Sequence, residues 1–99
     1  MTQQASGDVV QLVAAGVAPA SVKWRGGTGL LMCAGLTTLT ALTFDVQAPD
    51  GTTWDTVPNS ANGAAATPTT ANTAILFVLP ACSIRITGAT GGSAWAVGI

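Results

Sequence analysis

An all-β fold, a single antiparallel β-sandwich or small jelly-roll-like barrel of about seven or eight short strands, is what this 99-residue chain predicts. Short segments rich in Val, Ile, Thr, Phe and Trp recur along it, and clusters of Gly, Pro, Asp and Asn punctuate them. No segment sustains the helical spacing of apolar residues. At this length the chain forms one domain with enough apolar content, 48%, to bury a core.

The elements follow in order. Residues 1–7 are polar and small and are expected to form a flexible arm, with the β domain spanning 8–99. Residues 8–14 and 21–25 read as strands from their β-branched and aromatic content. In the second, alternation sets Val22 and Trp24 on one face and Lys23 and Arg25 on the other. Gly26, Gly27 and Gly29 turn the chain into an apolar strand at 30–34.

In 36–47, Leu36, Leu39 and Leu42 recur every third residue as in a helix. The Thr-rich filling and the alternation of Leu42, Phe44 and Val46 favour a strand. Ala48-Pro49-Asp50-Gly51 is a hairpin turn, and 52–57 is the return strand. Residues 58–73 lack periodicity and form a long loop outside the core. Strands follow at 74–79, at 82–87 with Ile84 and Ile86 inward and Arg85 outward, and at 94–98.

Two strands break the alternation expected of a sheet with one wet face. Leu30-Leu31-Met32-Cys33-Ala34 and Ala74-Ile75-Leu76-Phe77-Val78-Leu79 are apolar throughout. Either the 58–73 loop or another subunit must cover the second face, and the charge content favours a subunit. Asp8, Lys23, Arg25, Asp45, Asp50, Asp55 and Arg85 are the whole charged complement, 7% against the roughly 25% usual in soluble domains. Leu31, Cys33, Leu76 and Val78 are therefore the expected partner-binding residues, with Trp54 as a further candidate because it follows the tight turn and precedes Asp55. Trp24 and Trp95 are expected to plug the interior.

Other function classes lack their chemistry. A net charge of −1 with no basic cluster gives no footprint for nucleic acid. The uncharged stretch 26–44 is interrupted by glycines and threonines, which argues against a membrane span. The chain has no His, Glu or Tyr, and Cys33 and Cys82 sit among aliphatic residues without a base, so neither an enzyme nor a cofactor is expected. The two thiols read as reduced and buried, although a disulfide between neighbouring strands is geometrically open. The four Asp residues are solubilising or turn-forming, and they lack the spacing of a calcium loop. The N-terminus lacks the charged start and apolar stretch of a secretory signal, so synthesis in the cytoplasm is expected.

Two resemblances bear on function. Asp50-Gly51-Thr52-Thr53-Trp54 is similar to the Asp-box hairpin of sialidases, but Asp and Gly are adjacent here and Ala48 stands in the place of the Ser. A wider one runs through Val22-Lys23-Trp24-Arg25-Gly26-Gly27, the segment from Ala48 to Trp54, Leu79-Pro80-Ala81-Cys82-Ser83-Ile84-Arg85 and Thr87-Gly88. In this order the chain resembles small all-β structural proteins of tailed bacteriophages, most of all head decoration, or cement, proteins. The resemblance implies a virion subunit on the capsid surface that binds the major capsid protein lattice beside symmetry-related copies of itself, with no reaction. The alternatives are a receptor- or glycan-binding module of a phage tail fibre or baseplate, and a pore- or tube-forming subunit of another multimer.

Overall fold

A computed structural model describes residues 8–14, 21–37, 42–88 and 91–99. It contains eight strands: β1 (Val9–Val13), β2 (Val22–Trp24), β3 (Gly27–Ala34), β4 (Thr43–Gln47), β5 (Trp54–Thr56), β6 (Thr73–Leu79), β7 (Cys82–Thr87) and β8 (Ser93–Gly98). They form two four-stranded antiparallel sheets, ordered β1-β8-β3-β6 and β2-β7-β4-β5, packed face to face as a sandwich and not closed into a barrel. No helix occurs among the described residues. The expected arm at 1–7 and positions 38–41 of the strand expected over 36–47 lie outside them.

The chain changes sheet at every connection except the β4–β5 hairpin. In that hairpin Gly51 N–H donates to Ala48 O at 3.0 Å, and Gly51 takes the left-handed conformation, φ 78°, that a side chain would oppose. Asp50 holds the turn together: its Oδ1 accepts from the N–H groups of Thr52 and Thr53 at 2.9 and 2.8 Å, and its Oδ2 from the Thr53 hydroxyl at 2.5 Å. These bonds draw 52 and 53 into the turn, so the return strand starts at Trp54 rather than at 52.

Hydrogen bonds to Thr53, from its side chain first and then its main chain, lower the Asp50 pKa from 3.8 to about 2. A carboxylate whose folded pKa is depressed contributes stability above its unfolded value and loses it as pH falls through the folded one. The hairpin therefore weakens as pH drops from 3.8 towards about 2. Asp50→Ala is expected to lower the melting temperature at neutral pH and to flatten its fall across that acid window, measured by circular dichroism. An unchanged acid slope would mean that the turn does not depend on the ionised carboxylate.

The core lies between the sheets. Trp24 and Phe44 from the second sheet meet Phe77 of the first, with ring centroids 5.0 Å apart for Trp24–Phe77 and 5.3 Å for Phe44–Phe77 in tilted and edge-on contacts. Leu12, Val13, Leu31, Ile84 and Ile86 complete the packing around them. The Trp24 indole N–H is buried and finds no acceptor among the described residues, which costs about 1–3 kcal/mol.

Three expectations need correction here. Gly27 and Gly29 belong to β3 and not to a preceding turn, because Gly27 pairs with Leu79 and Gly29 with Phe77. The 58–73 segment is not wholly outside the core: Ala66 and Pro68 are buried, and Ala66 belongs to the core cluster. Trp95 does not plug the interior. Ala94, Ala96 and Gly98 occupy the inward positions of β8, so Trp95 and Val97 alternate outward.

Candidate functional site

The two outer faces of the sandwich differ in chemistry. On the second sheet, Lys23 Nζ donates to Ser83 Oγ at 3.1 Å, the hydroxyls of Thr43 and Thr87 lie 2.6 Å apart, and Thr43 donates to Asp45 at 3.1 Å. Arg85 places its guanidinium 4.0 Å above the Trp54 ring, with Nε 3.5 Å from Asp45 Oδ2. At that separation the contact is an ion pair without a hydrogen bond. Lys23 and Thr87 are exposed, whereas Asp45 and Ser83 are buried within this polar network.

Among the described residues, the outer face of the first sheet carries no charged side chain. The strand register aligns Val9, Val97, Leu30 and Leu76 in one row across all four strands. A second row runs Gln11, Trp95, Met32 and Ala74, and Thr28 and Val78 flank the first. Val9 is 60%, Val78 54%, Met32 41% and Leu76 37% exposed, whereas Leu30, Trp95 and Val97 are half-buried by their neighbours. With strands about 4.8 Å apart and about 3.3 Å per residue, the patch covers on the order of 400 Å². That is within the range of the largest apolar patch on ordinary monomers, about 300–600 Å², a patch that is often functional.

The loop that had been the alternative cover does not lie over this face. Its contact with β6 is at the strand's free edge, where Ser60 N–H donates to Leu76 O at 2.9 Å, and the side chains of Leu76 and Val78 stay exposed. At the end of the patch a groove of about 430 Å³ opens between Gly26, Gly27, Val78, Pro80 and Ala81, with Arg25 at its rim held by Asp8 at 2.5 Å. A second groove of about 360 Å³ lies beyond the Pro80-Ala81 turn and includes Asp55 and Cys82.

The five residues expected to bind a partner fall in three places. Leu31 and Cys33 are 0% and 7% exposed and belong to the protomer's own core, so in this fold they offer no surface to a partner. Leu76 and Val78 lie on the apolar outer face, and Trp54 lies on the opposite, polar face beneath Arg85. The residues that sequence reasoning missed are Val9, Leu30, Met32, Trp95 and Val97. The signal was inside the unalternated run itself, since a strand with two apolar faces sends Leu30 and Met32 one way and Leu31 and Cys33 the other.

The thiols are not activated. Burial pushes Cys33 up to about 11, and it raises Cys82 against a smaller opposing effect of Lys23. Both are free and they stand on opposite sheets. No group of three His, Cys, Asp or Glu residues gathers as metal ligands among the described residues. Comparison with protein-family models, curated proteins and solved structures finds no match to this chain, so its functional reading rests on these residues and their geometry.

Proposed function

We propose that the chain is a non-enzymatic structural subunit of a tailed-phage virion, a head decoration protein that seats the apolar face of its first sheet on the major capsid protein lattice. The observation that carries the reading is the two-sidedness of the sandwich: one outer face is polar and charged, and the other is a continuous uncharged surface crossing four strands. Such a domain has one side for water and one for a neighbour.

The size of the patch favours a lattice over an isolated pair. Two such faces bury about 800 Å² in total, below the roughly 1,200–2,000 Å² of stable one-to-one complexes. Many copies on a repeating surface, each also touching symmetry-related copies, gain the missing affinity by multivalency. The glycan-binding alternative has less support, because Arg85 stacks over the Trp54 ring that a sugar would need.

The test is co-sedimentation of the purified chain with heads of its parent phage that lack the subunit. Saturable binding is expected. The double variant Met32→Lys, Val78→Lys is expected to lower apparent affinity at least about a hundredfold, because each ammonium would lose its water in the contact. Its melting temperature should stay close to that of the parent, since both positions are exposed. A chain that remains monomeric across a concentration series and ignores the particles would remove the proposal.

A further inference from the structure

The small hairpin that touches the β6 edge carries chemistry of its own. Pro58 and Ala65 form its bridge, and Asn59 N–H donates to Ala64 O at 2.6 Å. The turn ends in Asn62-Gly63, both exposed. Gly63 has φ 73°, and the position its Cβ would take is open space, so no side chain stands beside the glycine. Asn62 Oδ1 accepts from Ala64 N–H at 2.9 Å, which turns the carboxamide towards the main chain that follows it.

We propose that Asn62 is a self-modification site that converts to aspartate and isoaspartate through a cyclic imide formed with Gly63. The Gly63 main-chain nitrogen attacks Asn62 Cγ, the new C–N bond forms as the Cγ–Nδ2 bond breaks, and ammonia leaves carrying the proton of the Gly63 N–H. Water then adds across either carbonyl of the five-membered ring and opens it. No oxidant, metal or enzyme takes part. Gly63 N–H donates to Asn59 O at 2.7 Å in the closed turn, so attack proceeds from a locally opened one. In an exposed hairpin that opening costs little.

Three other positions serve as comparisons within the same chain. Asp50 also precedes a glycine, but its carboxylate accepts three hydrogen bonds and stays ionised, a poor electrophile. Asn59 and Asn72 precede Ser60 and Thr73, whose side chains crowd the attacking nitrogen. Asn72 Oδ1 is further held by Gly35 N–H at 2.8 Å.

The product alters the hairpin in two ways. It adds a negative charge to a chain whose net charge is −1. Isoaspartate also routes an extra carbon into the main chain between Asn62 Cα and the Gly63 nitrogen, displacing the Gly63 N–H from Asn59 O. That bond closes the turn beside Ser60, whose N–H donates to Leu76 O, so modification loosens the cover of the β6 edge.

The folded protein is incubated in neutral to mildly alkaline buffers and mapped by peptide mass spectrometry, with isoaspartate counted by enzymatic methylation. Product at Asn62 is expected to outrun Asn59, Asn72 and Asp50 by at least about tenfold and to rise about tenfold per pH unit, as an attack by the deprotonated amide requires. Asn62→Gln should abolish it, because the corresponding ring is six-membered. An Asn62 that stays intact in the folded protein yet is modified in urea, or equal modification at all asparagines, would overturn the proposal.

Discussion

Replacing Phe77 with alanine is expected to remove about 3–5 kcal/mol of stability. Phe77 is fully buried on β6, an edge strand, and its ring reaches across to Trp24 and Phe44 of the other sheet. Removing it leaves a void between two large rings whose own strands fix them in place. Native domains of this size are stable by about 5–15 kcal/mol, so most of the stability would go. Urea denaturation should show a lower midpoint with an unchanged slope. Phe77→Leu, which keeps more of the volume, should lose clearly less. A loss below about 1 kcal/mol for the alanine variant would mean that the sheets do not meet at this ring.

Gly29→Ala is expected to do comparable damage by the opposite route. A Cβ at this position would lie 2.6 Å from Trp24 Cη2 and 2.7 Å from Phe77 Cζ. Neither ring is a flexible end that can swing away, since both are fully buried against the opposite layer. Overpacking of this kind costs about 1–3 kcal/mol and more where the neighbours cannot yield. The sharper measurement is a double-mutant cycle with Trp24→Phe, whose smaller ring vacates the space the new methyl needs. Gly29→Ala should be less harmful in that background than in the parent. Additive losses would show that the indole is not what excludes the methyl group.

The fold was legible where one residue type dominates one face. In β7, Ile84, Arg85 and Ile86 alternate and lie as expected, and the Asp50-Gly51 turn announced the β4–β5 hairpin. Legibility failed where both faces are apolar, because alternation then carries no sign. Leu31 and Leu30 are chemically the same residue, and only pairing with β6 and β8 assigns one to the core and the other to the surface. Trp95 failed for a related reason: size suggested the interior, but the inward side of β8 holds only alanine and glycine. The apolar face was thus foreseen as a surplus of greasy strand, while its membership waited on register. Gly29 was equally hidden, since the need for a missing side chain there is set by Trp24 and Phe77, distant in sequence.

The last strand in sequence, β8, is not an edge but lies between β1 and β3. Until Ser93–Gly98 is in place, β1 has no lateral neighbour in its own sheet and β3 has only β6. Pairing of β1 therefore waits on a partner at the far side of the domain sequence, as where Val9 pairs with Val97, and such non-local closure slows folding.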